Sequence, residues 1–402
     1  MNKPLSDREF SRPADWDRRG LPGWTYHSAD LLELEKRLVF RRHWQIIGHV
    51  SDVPQPGDYL SLDIVGERAF AVRGQDGVVR AFLNMCRHRG SRVVTEEKGS
   101  CRGALVCPFH GWVYNLDGTL RGAARPKTFP PLDRNEFGLK SIETEIWNGL
   151  IFIRLEPGPQ PSVAELMRPF ADEIAAYRLE TMVPTEAGMW TQVSDVNWKS
   201  VRDVDNEGYH VAMAHPALQD LYGPSYHDEP FVDGVSRSFA TTAGRSGRRW
   251  SVKNYLKMVP KPAHLPPDLQ EAWVYWGLFP NTVIAVTPVT MQFYQEFPLS
   301  TDRTLLRGIV YRYPDETREQ RLARYLTLRI DRDTQAEDVQ LTEWSNEALK
   351  SPSFDGFYLS DLEYGVRSHH DHLRAILPVM TLETSPGEGA IEAVNARMET
   401  DR

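Results

Sequence analysis

Cys86 and His88, then Cys107 and His110, form two mixed pairs, Cys-x-His and Cys-x-x-His, with 18 residues between them. Thiolates and imidazoles are the side chains that hold soft and borderline metals. A structural zinc tetrahedron also takes two Cys and two His, but its usual pairs are Cys with Cys and His with His. Here each pair is mixed, and the first has a single intervening residue. A [2Fe–2S] centre with two Cys on one iron and two His on the other suits the set better. Gly90 and Gly111 follow the pairs, and glycine permits tight loops whose backbone N–H groups turn toward sulfur. The chemistry of such a site is one-electron transfer.

A second constellation lies downstream, in Asn197 to Pro216. His210 and His215 are five apart and Glu207 stands three before the first. Two imidazoles and one carboxylate from elsewhere make the two-His, one-carboxylate face that binds ferrous iron and leaves positions open for O2. Asp338, in Gln335-Ala336-Glu337-Asp338, is the candidate carboxylate. Taken alone the set is weak, because helical histidines are often core residues and Asp338 could simply be solvated.

The order of these features carries more weight than any one of them. The Cys/His pairs, then Asn197-Trp198-Lys199, then Glu207, His210 and His215, then Glu337-Asp338 resemble the alpha subunit of Rieske-type non-haem iron oxygenases, from about residue 31 to residue 373. The resemblance implies that Cys86, His88, Cys107 and His110 hold the [2Fe–2S] cluster and that His210, His215 and Asp338 hold Fe(2+). It assigns Glu207 to a bridge between His210 and His110 of a neighbouring subunit, the electron path. A carboxylate accepting from two ring N–H groups would orient both ligands. Most members acting on aromatic rings carry Asp there, whereas relatives that oxidise choline, carnitine and betaines commonly carry Glu. The expectation is therefore oxidative N-demethylation of a betaine such as stachydrine, with formaldehyde release; ring hydroxylation of an aromatic acid is the alternative. Asp203-Val204 replaces the family's usual Glu-Asn, leaving Asp203, Asp205 and Asn206 without a role.

The elements that must position these residues are legible in outline. Ser28 to His43 reads as an amphipathic helix. Leu60, Leu62 and Ile64 alternate as a strand, and Asp76-Gly77 and Asp117-Gly118 are hairpin turns. Gly158 to Pro161 reads as a linker. Helical patterns follow at Ser162 to Tyr177 and Asp203 to His215, then strands at Trp273 to Phe279, Thr282 to Thr287, Met291 to Phe297 and Thr304 to Tyr313. A long helix from about Asp315 to Lys350 closes the series. The fold class is α+β: an N-terminal segment (1–43) packing on the catalytic part, a small all-β Rieske domain (44–157) and a catalytic domain (158–402). By resemblance the last is a helix-grip fold with an antiparallel sheet.

Composition sets limits. With 402 residues, 41% hydrophobic and 25% charged, the chain is long enough for two globular domains. A net charge of −8 argues against nucleic acid or an anionic membrane as partner. Met1 to Asp17 contains no apolar run, so neither signal peptide nor membrane span is expected, and the predicted compartment is the cytoplasm. Of three cysteines two are assigned to metal, so a disulfide framework is excluded. No Gly-x-Gly-x-x-Gly opens a helix, so NAD(P)H must be oxidised by a separate flavin and iron–sulfur reductase. The resemblance implies a homotrimer. Trp250, Tyr275, Trp276, Phe293, Tyr294 and Trp344 are available for cation–π contact with a quaternary ammonium, but filling the core of a β-rich domain is the commoner role for any one of them and an aromatic substrate would use the same residues, so none is assigned to substrate. Ser368-His369-His370-Asp371-His372 reads as surface or subunit-contact residues, since adjacent helical positions point apart.

Overall fold

The computed structural model describes residues 12–134 and 136–401; the start of the N-terminal segment, residues 1–11, lies outside them. The chain divides into two compact units, Lys36–Glu186 and Met1–Glu35 with Ala187–Arg402.

The 36–186 unit is all-β around its core. Strands β1 (Gln45–His49), β2 (Asp58–Ile64), β3 (Glu67–Arg73), β4 (Val79–Leu83), β5 (Lys98–Ser100), β6 (Leu105–Val106), β7 (Val113–Tyr114), β8 (Leu120–Gly122), β9 (Ser141–Trp147) and β10 (Leu150–Arg154) form two sheets. One is ordered β1-β10-β9-β4-β3-β2-β5 and the other β6-β7-β8. Leu60, Leu62 and Ile64 are buried while Asp63 faces solvent, the alternation of a half-buried strand. Both Asp-Gly turns form, with φ +80° at Gly77 and +88° at Gly118. Phe70, Phe82, Leu105, Trp112 and Leu120 pack into one core with Cys86 and Cys107, so the strands that bury these rings also fix both sulfurs.

Gly158 to Pro161 is not a free linker. An Arg154 guanidinium nitrogen donates to the Gln160 carbonyl (2.7 Å) and the Trp44 N–H donates to Gln160 Oε1 (2.9 Å). The compact unit therefore runs on to Glu186 instead of stopping at residue 157. The helical stretch after Ser162 is broken into Val163–Leu166, Arg168–Phe170 and Ala171–Ala176 around Pro169, which has no N–H to donate.

In the other unit, strands β11 (Trp190–Ser194), β12 (His227–Val232), β13 (Val235–Thr241), β14 (Ala272–Leu278), β15 (Thr282–Val286), β16 (Thr290–Ser300) and β17 (Arg303–Arg312) pair antiparallel in the order β12-β13-β14-β15-β16-β17-β11. The β12–β13 hairpin, not anticipated above, turns at Asp233-Gly234, both at positive φ. The predicted helix from Asp203 to His215 is two pieces, α1 (Trp198–Asp205) and α2 (Val211–Ala214). The long helix α3 (Arg318–Ala348) begins at a Thr317/Gln320 capping box. Helix α4 (Tyr364–Ile376) follows.

The Asn-Trp-Lys segment explains how α1 is anchored. The Asn197 side chain accepts from the Lys199 N–H (2.9 Å) and so caps the helix, while its amide donates to the Tyr26 carbonyl (2.7 Å). Trp198 Nε1 donates to Glu35 Oε2 (2.8 Å) and Lys199 Nζ reaches Glu35 Oε1 (2.5 Å). All three side chains are buried, and a buried charge is tolerated only when paired in this way. The described part of the N-terminal segment thus fixes the helix that leads to the histidines.

Along α3 the expected apolar stripe splits. Leu326 and Ile330 are buried against Trp273 and Tyr255, whereas Tyr325 and Trp344 are more than half exposed. A second, polar face, Asp331, Gln335, Asp338 and Thr342, repeats at helical spacing and lines a cavity.

Candidate metal centres and active site

The two Cys/His loops are built alike. In the first, the Cys86 N–H donates to the Ser91 carbonyl (2.8 Å) and the Gly90 N–H to the Cys86 carbonyl (2.9 Å). In the second, the Cys107 N–H donates to the Trp112 carbonyl (2.8 Å) and the Gly111 N–H to the Cys107 carbonyl (3.0 Å). Closing each loop puts the glycine at positive φ, +74° and +67°, which side chains resist. Both sulfurs are buried, while His88 and His110 are partly exposed with ring centroids 4.6 Å apart. Trp112 stacks on His88 at 5.2 Å.

This arrangement suits a two-iron cluster. Nδ1 of His88 is buried with no hydrogen-bond partner, a costly state unless a metal takes the lone pair. Burial pushes the Cys86 thiol up, a proton that a bound metal displaces. A single zinc holds its ligand atoms about 3.3 to 3.8 Å apart, from Zn–S and Zn–N bonds of about 2.0–2.3 Å. Among the described residues the set that meets within 4.8 Å is a different one. Tyr114, not foreseen in the sequence, accepts from the Arg87 N–H (3.0 Å) and lies 3.1 Å from Cys86 Sγ. A cysteine sulfur bound to metal carries no proton, so in the loaded site it would accept from the Tyr114 hydroxyl.

That different set is His210, His215 and Asp338. Their Nε2 atoms are 3.0 Å apart, and Asp338 Oδ1 lies 2.9 Å from Nε2 of His215 and 3.7 Å from that of His210. The outer ring nitrogens are both held by carboxylates. Glu207 Oε1 is 2.5 Å from Nδ1 of His210, and Glu337 Oε2 is 3.1 Å from Nδ1 of His215. A carboxylate accepts, so each Nδ1 carries the proton and each Nε2 turns its lone pair inward. Asp338 Oδ1, buried and without a hydrogen-bond partner, joins them. Three donor atoms facing one point call for a cation, and the two carboxylate–histidine pairs are the usual outer support of a metal site. Glu337 was missed in the sequence; its position beside Asp338 was the available signal.

The break between the two short helices makes this possible. Asn206 ends α1, and Glu207 Oε2 accepts the Tyr209 N–H (2.5 Å) and His210 N–H (3.2 Å), starting the next turn. At Gly208 a Cβ would sit 1.9 Å from the Tyr226 ring, so only glycine lets that ring approach.

The metal candidates open onto a cavity of about 220 Å³. Asp205, Glu207, Asp228 and Glu229 line it, as do Glu296, Asp331 and Asp338, against one arginine, Arg202. Arg202 is taken up by Asp205 and by Glu296 (3.3 Å). Burial pushes the carboxyls of Asp228 up to about 6 and of Asp331 up to about 7. It also raises the hydroxyls of Tyr222, Tyr226, Tyr275 and Tyr294, keeping them neutral. Of the aromatic candidates, Tyr275 and Tyr294 line the cavity; Trp276 and Phe293 are buried elsewhere and Trp250 and Trp344 face solvent. Strand alternation separates Tyr275 from Trp276 and Tyr294 from Phe293.

Asp203 and Asp205 acquire partners. Asp203 accepts from the Tyr26 hydroxyl (2.6 Å) and from Nε2 of His370 (2.7 Å), and Asp205 accepts from the Tyr294 hydroxyl (2.7 Å). The reading of the His369 region as surface is overturned. His369 and His370 are fully buried, His369 bonded to the Pro280 carbonyl (2.8 Å) and His370 Nδ1 accepting the Leu21 N–H (3.1 Å).

Two family models fall on these units, the Rieske [2Fe-2S] domain on residues 43–141 and the ring hydroxylating alpha subunit (catalytic domain) on residues 179–378. The chain is a Rieske non-haem iron oxygenase. The cofactors of this oxygenase are a [2Fe–2S] cluster and Fe(2+). It is 27% identical over 357 residues to the carnitine monooxygenase oxygenase subunit of Escherichia coli (strain K12), covering 87% of the oxygenase and 90% of that chain. To the glycine betaine monooxygenase oxygenase subunit of Chromohalobacter salexigens it is 35% identical over 199 residues, 49% of the oxygenase and 43% of the relative. A solved quaternary ammonium Rieske monooxygenase has the same fold, with TM-score 0.75 and 22% identity over 89% of the oxygenase and 95% of that chain. The oxygenase thus groups with the quaternary ammonium monooxygenases. No described helix is long and apolar enough to cross a membrane.

Proposed function

We propose that the oxygenase removes an N-methyl group from a quaternary ammonium substrate, a betaine such as stachydrine, using O2 and electrons from NAD(P)H. The observation that carries this reading is the cavity: carboxylates on several walls, neutral tyrosine faces between them, and a single arginine already neutralised. Such a lining attracts a permanent cation that has no N–H to donate. An aromatic acid would bring a carboxylate into the same acidic surroundings with no cation to offset it, whereas a betaine's carboxylate arrives with its own ammonium.

Cys86, His88, Cys107 and His110 would hold the cluster and His210, His215 and Asp338 the iron. When bound, the cluster supplies single electrons and the iron activates O2. In the overall change two electrons and two protons reduce one oxygen atom to water, and the other oxygen enters the methyl C–H bond. The N–CH2OH group then collapses: the C–N pair stays on nitrogen, the hydroxyl proton leaves, and formaldehyde departs.

Around that reaction the protein's own side chains orient and exclude. Glu207 and Glu337 fix both imidazoles; Tyr222, Tyr226, Tyr275 and Tyr294 form the walls. We assign to Glu207 the bridge to His110 of a neighbouring copy in a homotrimer. Tyr209 and Met213 beside it are exposed at 57% and 88%, and Phe109 beside His110 at 56%, apolar surface suited to such a contact. The solved quaternary ammonium monooxygenase is one for which inter-subunit electron transfer is described. A separate flavin and iron–sulfur reductase would deliver the electrons.

The test is formaldehyde release with NADH-coupled O2 uptake by the iron-loaded protein and a generic reductase, across betaines, carnitine, choline and aromatic acids. Stoichiometric formaldehyde from one N-methyl compound is expected. A hydroxylated arene without formaldehyde would move the oxygenase to ring hydroxylation.

A further inference from the structure

Most acids around the cavity are already engaged. Asp205 and Glu296 neutralise Arg202, Glu229 pairs with Arg237 (3.1 Å), and Glu207 holds His210. Asp228 accepts from the Ser238 hydroxyl (2.5 Å), and Asp338 belongs to the metal set. Asp331 differs. Its Oδ2 accepts one hydrogen bond from Gln292 (3.2 Å), no donor among the described residues meets its Oδ1, and the carboxyl faces the cavity. Protein surrounds it closely enough that burial raises its carboxyl to about 7. A half-buried acid with one oxygen unmatched by protein and a cavity beside it is suited to take a cation as its partner.

Its place on the helix gives that cation a position. Asp331 and Asp338 are seven residues apart on α3, two turns, so they share one face about 10 Å apart along the axis. That spacing admits one N-methylated head group between the two carboxylates. Tyr222 and Tyr275, whose hydroxyls bond each other at 2.8 Å, line the same cavity and offer ring surface to the remaining methyl groups.

We infer that Asp331 is the anionic anchor of the substrate's quaternary nitrogen, holding the head group so that one methyl points toward His210, His215 and Asp338. This rests on the proposed N-demethylation and names the group that selects a cation for it. Asp331 makes no bond to a metal-set residue, so its work is binding.

The test uses the iron-loaded, cluster-containing protein and two probes, tetramethylammonium chloride and 3,3-dimethylbutan-1-ol, the second a neutral probe carrying a tert-butyl head. Calorimetric binding is compared for the wild type and Asp331→Asn. Loss of a desolvated charge partner should weaken tetramethylammonium binding on the order of thirtyfold or more and leave the alcohol unchanged. With any N-methyl compound that yields formaldehyde, KM should rise in the variant while kcat is retained. No binding of tetramethylammonium to the wild type, unchanged binding to the variant, or equal losses for both probes would each overturn the assignment. Should the amide variant not fold, Asp331→Ser gives the same comparison. If the wild type binds the cation through Asp331 but releases no formaldehyde from any N-methyl compound, the demethylase reading fails and the anchor stands. If it releases formaldehyde but Asp331→Asn keeps full affinity, the anchor fails alone.

Discussion

Glu337 and His215 are 122 residues apart in sequence, yet Oε2 of Glu337 lies 3.1 Å from Nδ1 of His215 while the adjacent Asp338 lies 2.9 Å from Nε2 of the same ring. Neighbouring positions on a helix point about 100° apart, so one imidazole inserted between them is held at both nitrogens. Removing the outer carboxylate frees the ring to rotate. Glu337→Ala should lower iron affinity about 10- to 100-fold, read as iron retained against a chelator. The visible spectrum of the cluster should not change.

Asp338→Ala removes the one carboxylate of the metal set. Turnover should disappear while the cluster spectrum persists, because Cys86 and Cys107 belong to a separate core. Full activity in this variant would show that the iron ligand lies elsewhere.

Glu207→Gln keeps the shape of the side chain but loses the charge that faces Nδ1 of His210. Both metals should still bind. Single-turnover electron transfer from the reduced cluster should slow by at least tenfold if Glu207 is the bridge, and an unaltered rate would refute that role.

The Tyr114 hydroxyl lies 3.1 Å from Cys86 Sγ, and a hydrogen bond donated to a cluster sulfur favours the reduced, more negative cluster. A bond worth about 1 kcal/mol corresponds to about 40 mV for one electron. Tyr114→Phe should therefore lower the cluster potential by roughly that amount in a spectroelectrochemical titration.

Asp331 also carries a pH signature. Burial raises its carboxyl from 3.8 to about 7, so the folded state holds this proton more tightly than the unfolded chain. Stability from this group is full below about pH 4, declines as pH rises, and the loss is complete above about pH 7. Asp331→Asn removes the loss. Its melting temperature should exceed that of the wild type by several °C at pH 8, since moving this carboxyl from 3.8 to about 7 is worth about 4 kcal/mol, and match it near pH 4. A residue that destabilises its own fold at working pH is expected where binding demands it.

The sequence by itself determined what depends on near neighbours. Cys86-x-His88 and Cys107-x-x-His110, each with its glycine, close their loops by backbone hydrogen bonds five residues long at most, so residue type and spacing specify them. The same holds for the Asn197 cap, the Thr317 capping box and the Asp-Gly hairpins. Tertiary structure alone decided what depends on which faces meet. Asp203 to His215 carries helical periodicity, but the carboxylate of Glu207 turns back on Tyr209 and His210 and breaks it. His369 and His370 look like surface in a charged run, yet partners at Pro280, Leu21 and Asp203 satisfy them inside the fold. Asp331, Glu337 and Asp338 are three acids on one helix with nothing local to tell them apart. Only the packing of α3 against the sheet and α1 gives one to a cavity, one to the back of His215 and one to its front, because side-chain direction on a helix acquires chemical meaning from what is packed against it.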